Sequence, residues 1–169
     1  MKLLVEAPLN RLSLGNVSYN VIRELHKRGV DIGIFPVGNT DLDAYQPSSE
    51  FQAYLQSAVN NRFNYLKQDI PCLKIWHLNG SENRKNKNQY LLTFYECNQP
   101  TPIEVRLAQA QDVTFFCSSA ARDHFTLRGV ENAKFAPLGF DEDFGVTNKP
   151  YLKDTIHFGL MGKFEHRKH

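Results

Sequence analysis

Short apolar runs alternate with amphipathic stretches along this chain, and this alternation most limits how the chain can fold. Residues 2–9 and 30–37 are two such apolar runs. Between them lies a turn, followed by apolar residues at helical spacing, a basic cluster and Gly29, which is typical of a helix and its C-terminus. Strand, helix and strand in this order form a βαβ unit, which predicts a parallel sheet with a right-handed crossover.

The same alternation continues through the next hundred residues. Ser49 opens a predicted capping box for a helix whose apolar face reaches Leu66, and Thr101 and Ser118 start two further helices. The polar residues 79–89 are predicted to be an exposed loop or hairpin. Further strands are predicted at 72–78, 90–96, 112–117 and 133–138. Six strands with four helices predict an α/β fold, a Rossmann-like, doubly wound, mainly parallel sheet.

The end of the chain departs from this pattern. The polar, proline-containing stretch 148–154 predicts a linker that follows a first domain of residues 1–147. A new strand then begins at 155, and the sequence stops where a helix should follow, so we expect 155–169 to be the start of a second domain in a truncated chain. A homodimer would cover the exposed apolar strand at 156–161.

Composition and charge exclude several classes of protein. The 169 residues are 41% hydrophobic and 22% charged, which is ordinary globular usage, and the formal net charge of +2 argues against a nucleic-acid partner. No apolar run reaches the roughly 20 residues that a transmembrane helix needs. Glu6 interrupts the first apolar run too early for a signal peptide. We therefore expect a cytoplasmic protein with no transmembrane segment.

Cysteine and histidine spacing gives no metal motif. The cysteines at 72, 97 and 117 are odd in number and form no C-x-x-C pair, so buried reduced thiols are predicted. His166 and His169 lack the cysteines or carboxylates that would complete a metal site. The basic residues 84–87 are interpreted as a solvated loop, with contact to an anionic acceptor or phosphate as the alternative. The first βα turn holds only Gly15 and no G-x-G-x-x-G, which disfavours NAD.

A set of motifs occurs in a recognisable order. Gly15 lies in the first βα turn, Cys117-Ser118-Ser119 ends a strand, and a helix with Asp-His-Phe at 123–125 follows. Next come Pro-Leu-Gly-Phe-Asp at 137–141 and Phe-Gly-Leu-Met-Gly-Lys-Phe-Glu-His-Arg-Lys at 158–168. This order resembles the N-terminal half of a GT-B glycosyltransferase of the group 1 type. The resemblance covers essentially the whole chain and is most specific over 118–168.

The resemblance implies a fold and an activity. Such enzymes have two Rossmann-like domains across a cleft, of which the first holds the acceptor and the second the nucleotide-sugar donor. The implied reaction transfers a sugar to a glycan or another hydroxyl acceptor, with retention at the anomeric carbon. No cofactor or metal is implied, and the implied partners are the nucleotide-sugar donor and the carbohydrate acceptor. Because most of the donor pocket would lie past residue 169, we expect this fragment to be inactive alone.

The resemblance also implies donor-binding residues. Gly15 would bring helix N-terminal N–H groups to a diphosphate or sugar oxygen, although a glycine here also suits the turn itself. Lys163 and Lys168 would stabilise the departing diphosphate, whereas a solvated basic tail is the alternative. Lys163 stands where the family usually has arginine, and His169 where it usually has glycine.

Three residues at the ends of predicted strands are candidates for contacts with the sugar and the acceptor. His77 would be the catalytic residue that contacts the transferred sugar, with a structural role as the alternative. Asn79 and Glu96 would bind acceptor hydroxyls, although Glu96 equally suits a loop or helix cap. Two other functions remain open: a non-catalytic carbohydrate- or nucleotide-binding module, and a GT-B-like sugar epimerase with His77 or Glu96 as its base.

Overall fold

Six parallel strands form one sheet in the computed structural model, which describes residues 1–67 and 69–139. The strands are β1 (Lys2–Ala7), β2 (Asp31–Pro36), β3 (Cys72–Ile75), β4 (Gln89–Thr93), β5 (Val113–Phe116) and β6 (Ala133–Phe135). Their spatial order is β2-β1-β3-β4-β5-β6, and each neighbouring pair is parallel. The predicted Rossmann-like α/β sheet is therefore confirmed for these residues.

Four α-helices and one short 3₁₀ helix connect the strands in this part of the chain. The helices are α1 (Ser13–Lys27), α2 (Ser49–Asn60), the 3₁₀ helix (Arg62–Tyr65), α3 (Pro102–Gln109) and α4 (Ser119–Thr126). Thr101 and Glu104 form the predicted capping box of α3, and Ser118 caps α4. The predicted cap of α2 is wrong by one residue, because the Oγ of Ser48 accepts the Phe51 N–H.

Helices cover both faces of the sheet. On one face α1 and α2 pack against side chains of β1 and β2, among them the fully buried Val5 and Ile34. On the other face α3 and α4 bury Phe116 and Phe125. The Tyr65 ring lies so close to Gly33 that a Cβ there would be 2.5 Å from it, so only glycine fits under this ring.

The apolar pattern of the second helix gave a wrong prediction. We expected one helix to run to Leu66, but α2 ends at Asn60 and the 3₁₀ helix follows. The tighter 3₁₀ turn shifts which side chains face inward. Tyr65 is buried, whereas the side chains of Phe63 and Leu66 are 62% and 42% exposed.

The predicted loop at residues 79–89 is confirmed for 79–88, most of whose residues are exposed, but the hairpin alternative is wrong. Strands β3 and β4 are parallel, so the segment between them is a crossover and not a hairpin. It packs on the sheet and buries the side chains of Ser81, Asn86 and Gln89. The Nε2 of Gln89 donates to the Ser81 carbonyl oxygen and to the Oε1 of Gln111, both at 2.8 Å.

Several predictions concern residues beyond Gly139. The domain boundary after residue 147, the linker 148–154 and the strand from 155 lie outside the described residues, as do Lys163 and Lys168. Within residues 1–67 and 69–139, no helix combines the length and apolar character that crossing a membrane requires.

Candidate functional site

The strand order creates a topological switch point between β1 and β3. From β1 the chain crosses to β2 on one side, whereas from β3 it proceeds to β4, β5 and β6 on the other. Connections that diverge in this way leave a crevice outside the carboxyl ends of the two strands, where open α/β sheets bind ligands. The segments that follow β1 and β3 therefore form the candidate site.

The N-terminus of α1 lies directly after β1. Its N-cap residue is Leu12, whose side chain has no oxygen to accept a hydrogen bond, and the first turn contains no acidic residue. The first helical hydrogen bond runs from the Asn16 N–H to the Leu12 carbonyl oxygen at 2.8 Å. The N–H groups of the first turn, before Asn16, thus have no side-chain cap. The positive end of the dipole of this 15-residue helix lies at the switch point.

Close packing accounts for the presence of glycine at position 15. A Cβ at this position would lie 2.1 Å from the carbonyl oxygen of Asn10, so no other residue fits without a shift. That same oxygen accepts the Tyr45 hydroxyl at 2.8 Å, and the Oδ1 of Asn10 accepts the Leu12 N–H at 3.0 Å. The βα loop is therefore held in one shape. The role of Gly15 in donor binding stays a prediction.

His77 and Asn79 project from the segment after β3. Leu78 between them is buried in the core beneath α3 and α4, whereas both flanking side chains are exposed. The His77 ring contacts the half-buried Trp76 ring edge-on, with centroids 5.3 Å apart. Gly80 then turns the chain with φ +87°, a conformation that favours glycine. The buried Leu78 thus holds this segment in place, with the side chains of His77 and Asn79 exposed where β1 and β3 end.

Glu96 lies one strand further along the same edge. It follows β4 by three residues, and its side chain is exposed. The neighbouring Tyr95 hydroxyl donates to Glu104 at 3.2 Å. The pKa of Tyr95 is raised to about 12, mainly by burial and in addition by the Glu104 carboxylate. Gly15, His77, Asn79 and Glu96 thus all follow the carboxyl ends of three neighbouring strands. Their functional roles remain predictions.

Sequence patterns did not predict an ionic cluster of Glu6, Lys74 and Lys85, in which Glu6 and Lys74 are buried and Lys85 is exposed. The Oε1 of Glu6 lies 3.5 Å from the Lys74 Nζ and 3.6 Å from the Lys85 Nζ. Glu6 is 8% and Lys74 2% exposed, and the Lys74 Nζ also donates to the Asn83 carbonyl oxygen at 3.1 Å. The available signal was a charged residue inside each of two apolar strands. These are the penultimate residues of β1 and β3, just before the switch point.

The three cysteines are free thiols with different exposure. Burial raises the pKa of Cys72 to about 12 and that of the half-buried Cys117 to about 11. Cys97 is exposed, so the expectation of three buried thiols is wrong there, because Cys97 falls after β4 has ended. Among the described residues, no three His, Cys, Asp or Glu side chains are grouped closely enough to hold a metal ion.

Comparisons of this chain with protein-family models, with curated proteins and with solved structures found no match. The fold, the polar groups at the switch point and the order of the sequence motifs are therefore the observations from which its function is inferred.

Proposed function

We propose that this chain is the acceptor-side domain of a GT-B glycosyltransferase, which transfers a sugar from a nucleotide-sugar donor to a hydroxyl acceptor with retention. The observation that carries the proposal is the α1 N-terminus at the β1–β3 switch point, which no side chain caps. Such a helix end binds phosphate and other anionic oxygens through its N–H groups and its dipole. The ordered motifs that resemble the group 1 family support the same function.

The reaction defines what the site must stabilise. The bond between the anomeric carbon and the diphosphate oxygen breaks, a bond from that carbon to the acceptor oxygen forms, and the acceptor proton leaves with the diphosphate. Negative charge develops on the departing diphosphate, so fixed donors aimed at it lower the barrier. The first turn of α1 supplies N–H donors on a loop that hydrogen bonds already hold in place. By the resemblance, Lys163 and Lys168 supply the positive charge.

The exposed polar side chains next to this helix end fit a sugar. In the proposed complex, His77 hydrogen-bonds to hydroxyls of the transferred sugar, and Asn79 and Glu96 bind the acceptor. An imidazole and an amide can both donate and accept, as sugar hydroxyls require. The edge-on contact with Trp76 supports the His77 ring on the protein side.

Titration of the ¹⁵N-labelled chain with nucleotides tests this proposal. UDP and UDP-glucose, and GDP and GDP-mannose, are added to millimolar concentration while amide shifts are recorded. We expect every diphosphate to shift Ser13, Leu14 and Gly15, and His77 and Asn79 to shift further only when a sugar is attached. The His77→Gln variant should lose part of the sugar-dependent shift and keep the diphosphate shift.

Two outcomes would contradict the proposal. If none of these nucleotides shifts either segment, the switch point does not bind a nucleotide sugar. If the shifts at both segments are the same with and without the sugar, the domain recognises the nucleotide alone, which favours the binding-module alternative.

A further inference from the structure

A basic pocket lies away from the candidate site. It is an open cavity of about 360 Å³ lined by Leu66, Lys67, Arg84, Lys85, Asn86 and Lys87. Four of these six residues are cationic and none is acidic. The exposed carboxylates of the adjoining chain, Asp69 and Glu82, are not among its lining residues. A cavity lined by one sign of charge raises the local concentration of counter-ions.

Buried hydrogen bonds hold the basic segment in place. Asn86 is 6% exposed, and its Nδ2 donates to the carbonyl oxygens of Tyr65 at 2.8 Å and Ile70 at 2.9 Å. These bonds join the two chain segments that form the pocket walls. Arg84 donates to the Ala110 carbonyl oxygen at 2.9 Å, to the Lys87 carbonyl oxygen and to the Asp112 carboxylate. The basic segment is therefore a preformed wall of the pocket.

The charges of the pocket are only partly balanced. Arg84 is paired with Asp112, and Lys85 shares the single carboxylate of Glu6 with the buried Lys74. Lys67 and Lys87 are exposed and have no ion-pair partner among the residues that the structure describes. Several like charges held around one cavity repel one another, so a bound anion would relieve that repulsion.

The pocket and the switch point lie at different edges of the sheet. Leu66 and Lys67 precede β3, and residues 84–87 precede β4, so these segments lead into the strands. Because the strands are parallel, His77 and the α1 N-terminus lie at the opposite edge, after the strands end. The pocket therefore shares none of its lining residues with the nucleotide-sugar site proposed above, although the Lys85 side chain reaches from the pocket to Glu6.

We infer that the basic pocket is a second ligand site and that it binds a phosphoryl group, as a free phosphate ester or as a lipid headgroup. Lys67 and Lys87 contribute the uncompensated charge, since lysine binds phosphate as a mobile point charge. Arg84 and Asn86 keep the wall in shape. The exposed Leu66 side chain provides an apolar rim for the group that carries the phosphate.

Amide shift mapping of the full chain with inorganic pyrophosphate tests the inference. We expect shifts at Lys67 and at residues 84–87, and a loss of affinity of roughly tenfold in the Lys67→Gln/Lys87→Gln double variant. Lys134→Gln is the matched control. Lys134 is exposed on β6, so this substitution removes one positive charge outside the pocket. Thermal unfolding verifies that each variant is folded. Shifts confined to Ser13, Leu14 and Gly15 would overturn the inference, as would equal binding by the double variant and the control.

A second arm of the experiment separates the two sources of the phosphoryl group. The chain is sedimented with vesicles of phosphatidylcholine alone and with vesicles that also contain phosphatidylglycerol. Binding to the anionic vesicles that falls roughly tenfold in the double variant, and not in Lys134→Gln, supports the site with a lipid headgroup as its ligand. Pyrophosphate binding without vesicle binding supports the site with a soluble phosphate ester as its ligand. If neither arm shows binding that depends on Lys67 and Lys87, the inference is wrong.

Discussion

Glu6 and Lys74 lie opposite each other on β1 and β3, and their carboxylate and ammonium groups are 3.5 Å apart on one face of the sheet. These strands are far apart in sequence but adjacent in space, and the switch point lies where they end. This ion pair joins the two strands after which the candidate site lies. Its contribution can be measured by removing one charge.

Glu6→Gln should destabilise the protein by about 3–5 kcal/mol, because it leaves Lys74 buried without a carboxylate. Chemical denaturation measures the change in the free energy of unfolding. Glu82→Gln is the control, since Glu82 is exposed and this change should cost less than about 0.5 kcal/mol. A loss in Glu6→Gln no larger than that of the control would show that the pair does not stabilise the fold.

Gly15→Ala should destabilise the protein by about 1–3 kcal/mol or more, because the added methyl group would overlap the Asn10 carbonyl. The expected shift of the βα loop should also move the amide resonances of Asn10 and Leu12. Ser13→Ala serves as the control, as Ser13 is exposed in the same first turn. If both variants unfold at the same denaturant concentration, the close approach at Gly15 is not a constraint.

Thiol reactivity should follow exposure. Cys97 should react first with a thiol reagent, while Cys72, whose pKa burial raises to about 12, should react only on unfolding. Mass spectrometry of the labelled chain identifies the order. Labelling of Cys72 as fast as Cys97 in the folded protein would contradict the burial of β3.

Alkaline pH should destabilise the protein through Cys72. Its pKa rises from an ordinary value of 9.0 to about 12 on folding, so the folded chain keeps a proton that the unfolded chain has lost. The free energy of unfolding should therefore fall as the pH increases from about 9 towards 12. Burial raises the pKa of Tyr54 and Tyr65 to about 12. These two tyrosines should therefore further lower the free energy of unfolding above about pH 10.

Urea unfolding at about pH 8 and about pH 10.5 measures this slope. Cys72→Ala should have a smaller slope, and the control Cys97→Ala an unchanged one. An unchanged slope in Cys72→Ala would assign the alkaline loss of stability to the tyrosines and Cys117.

Local patterns in the sequence were sufficient to predict much of the fold. The capping box of Thr101 and Glu104 and the cap at Ser118 depend on residues within one helical turn, so their spacing identifies them. The alternation of strands and helices likewise follows from the spacing of apolar residues. The predicted strand at 72–78 placed His77 near its end, whereas β3 ends at Ile75 and His77 lies in the segment that follows.

Features that depend on contacts between distant segments could not be predicted in this way. The pairing of Glu6 with Lys74 requires the register of two strands that are not consecutive in the chain. Asn86 looks like one more polar loop residue in the sequence, but it is buried by hydrogen bonds to the segment before β3. Leu66 fits a helical apolar face until the change to a 3₁₀ turn exposes it.

A crystal structure of the chain soaked with a nucleotide sugar shows whether the β1–β3 switch point binds the sugar donor. We expect density for the diphosphate at the N–H groups of Ser13, Leu14 and Gly15, with the sugar beside His77. A well-occupied nucleotide sugar bound anywhere else on the domain, with the β1–β3 switch point empty, would contradict the proposed function.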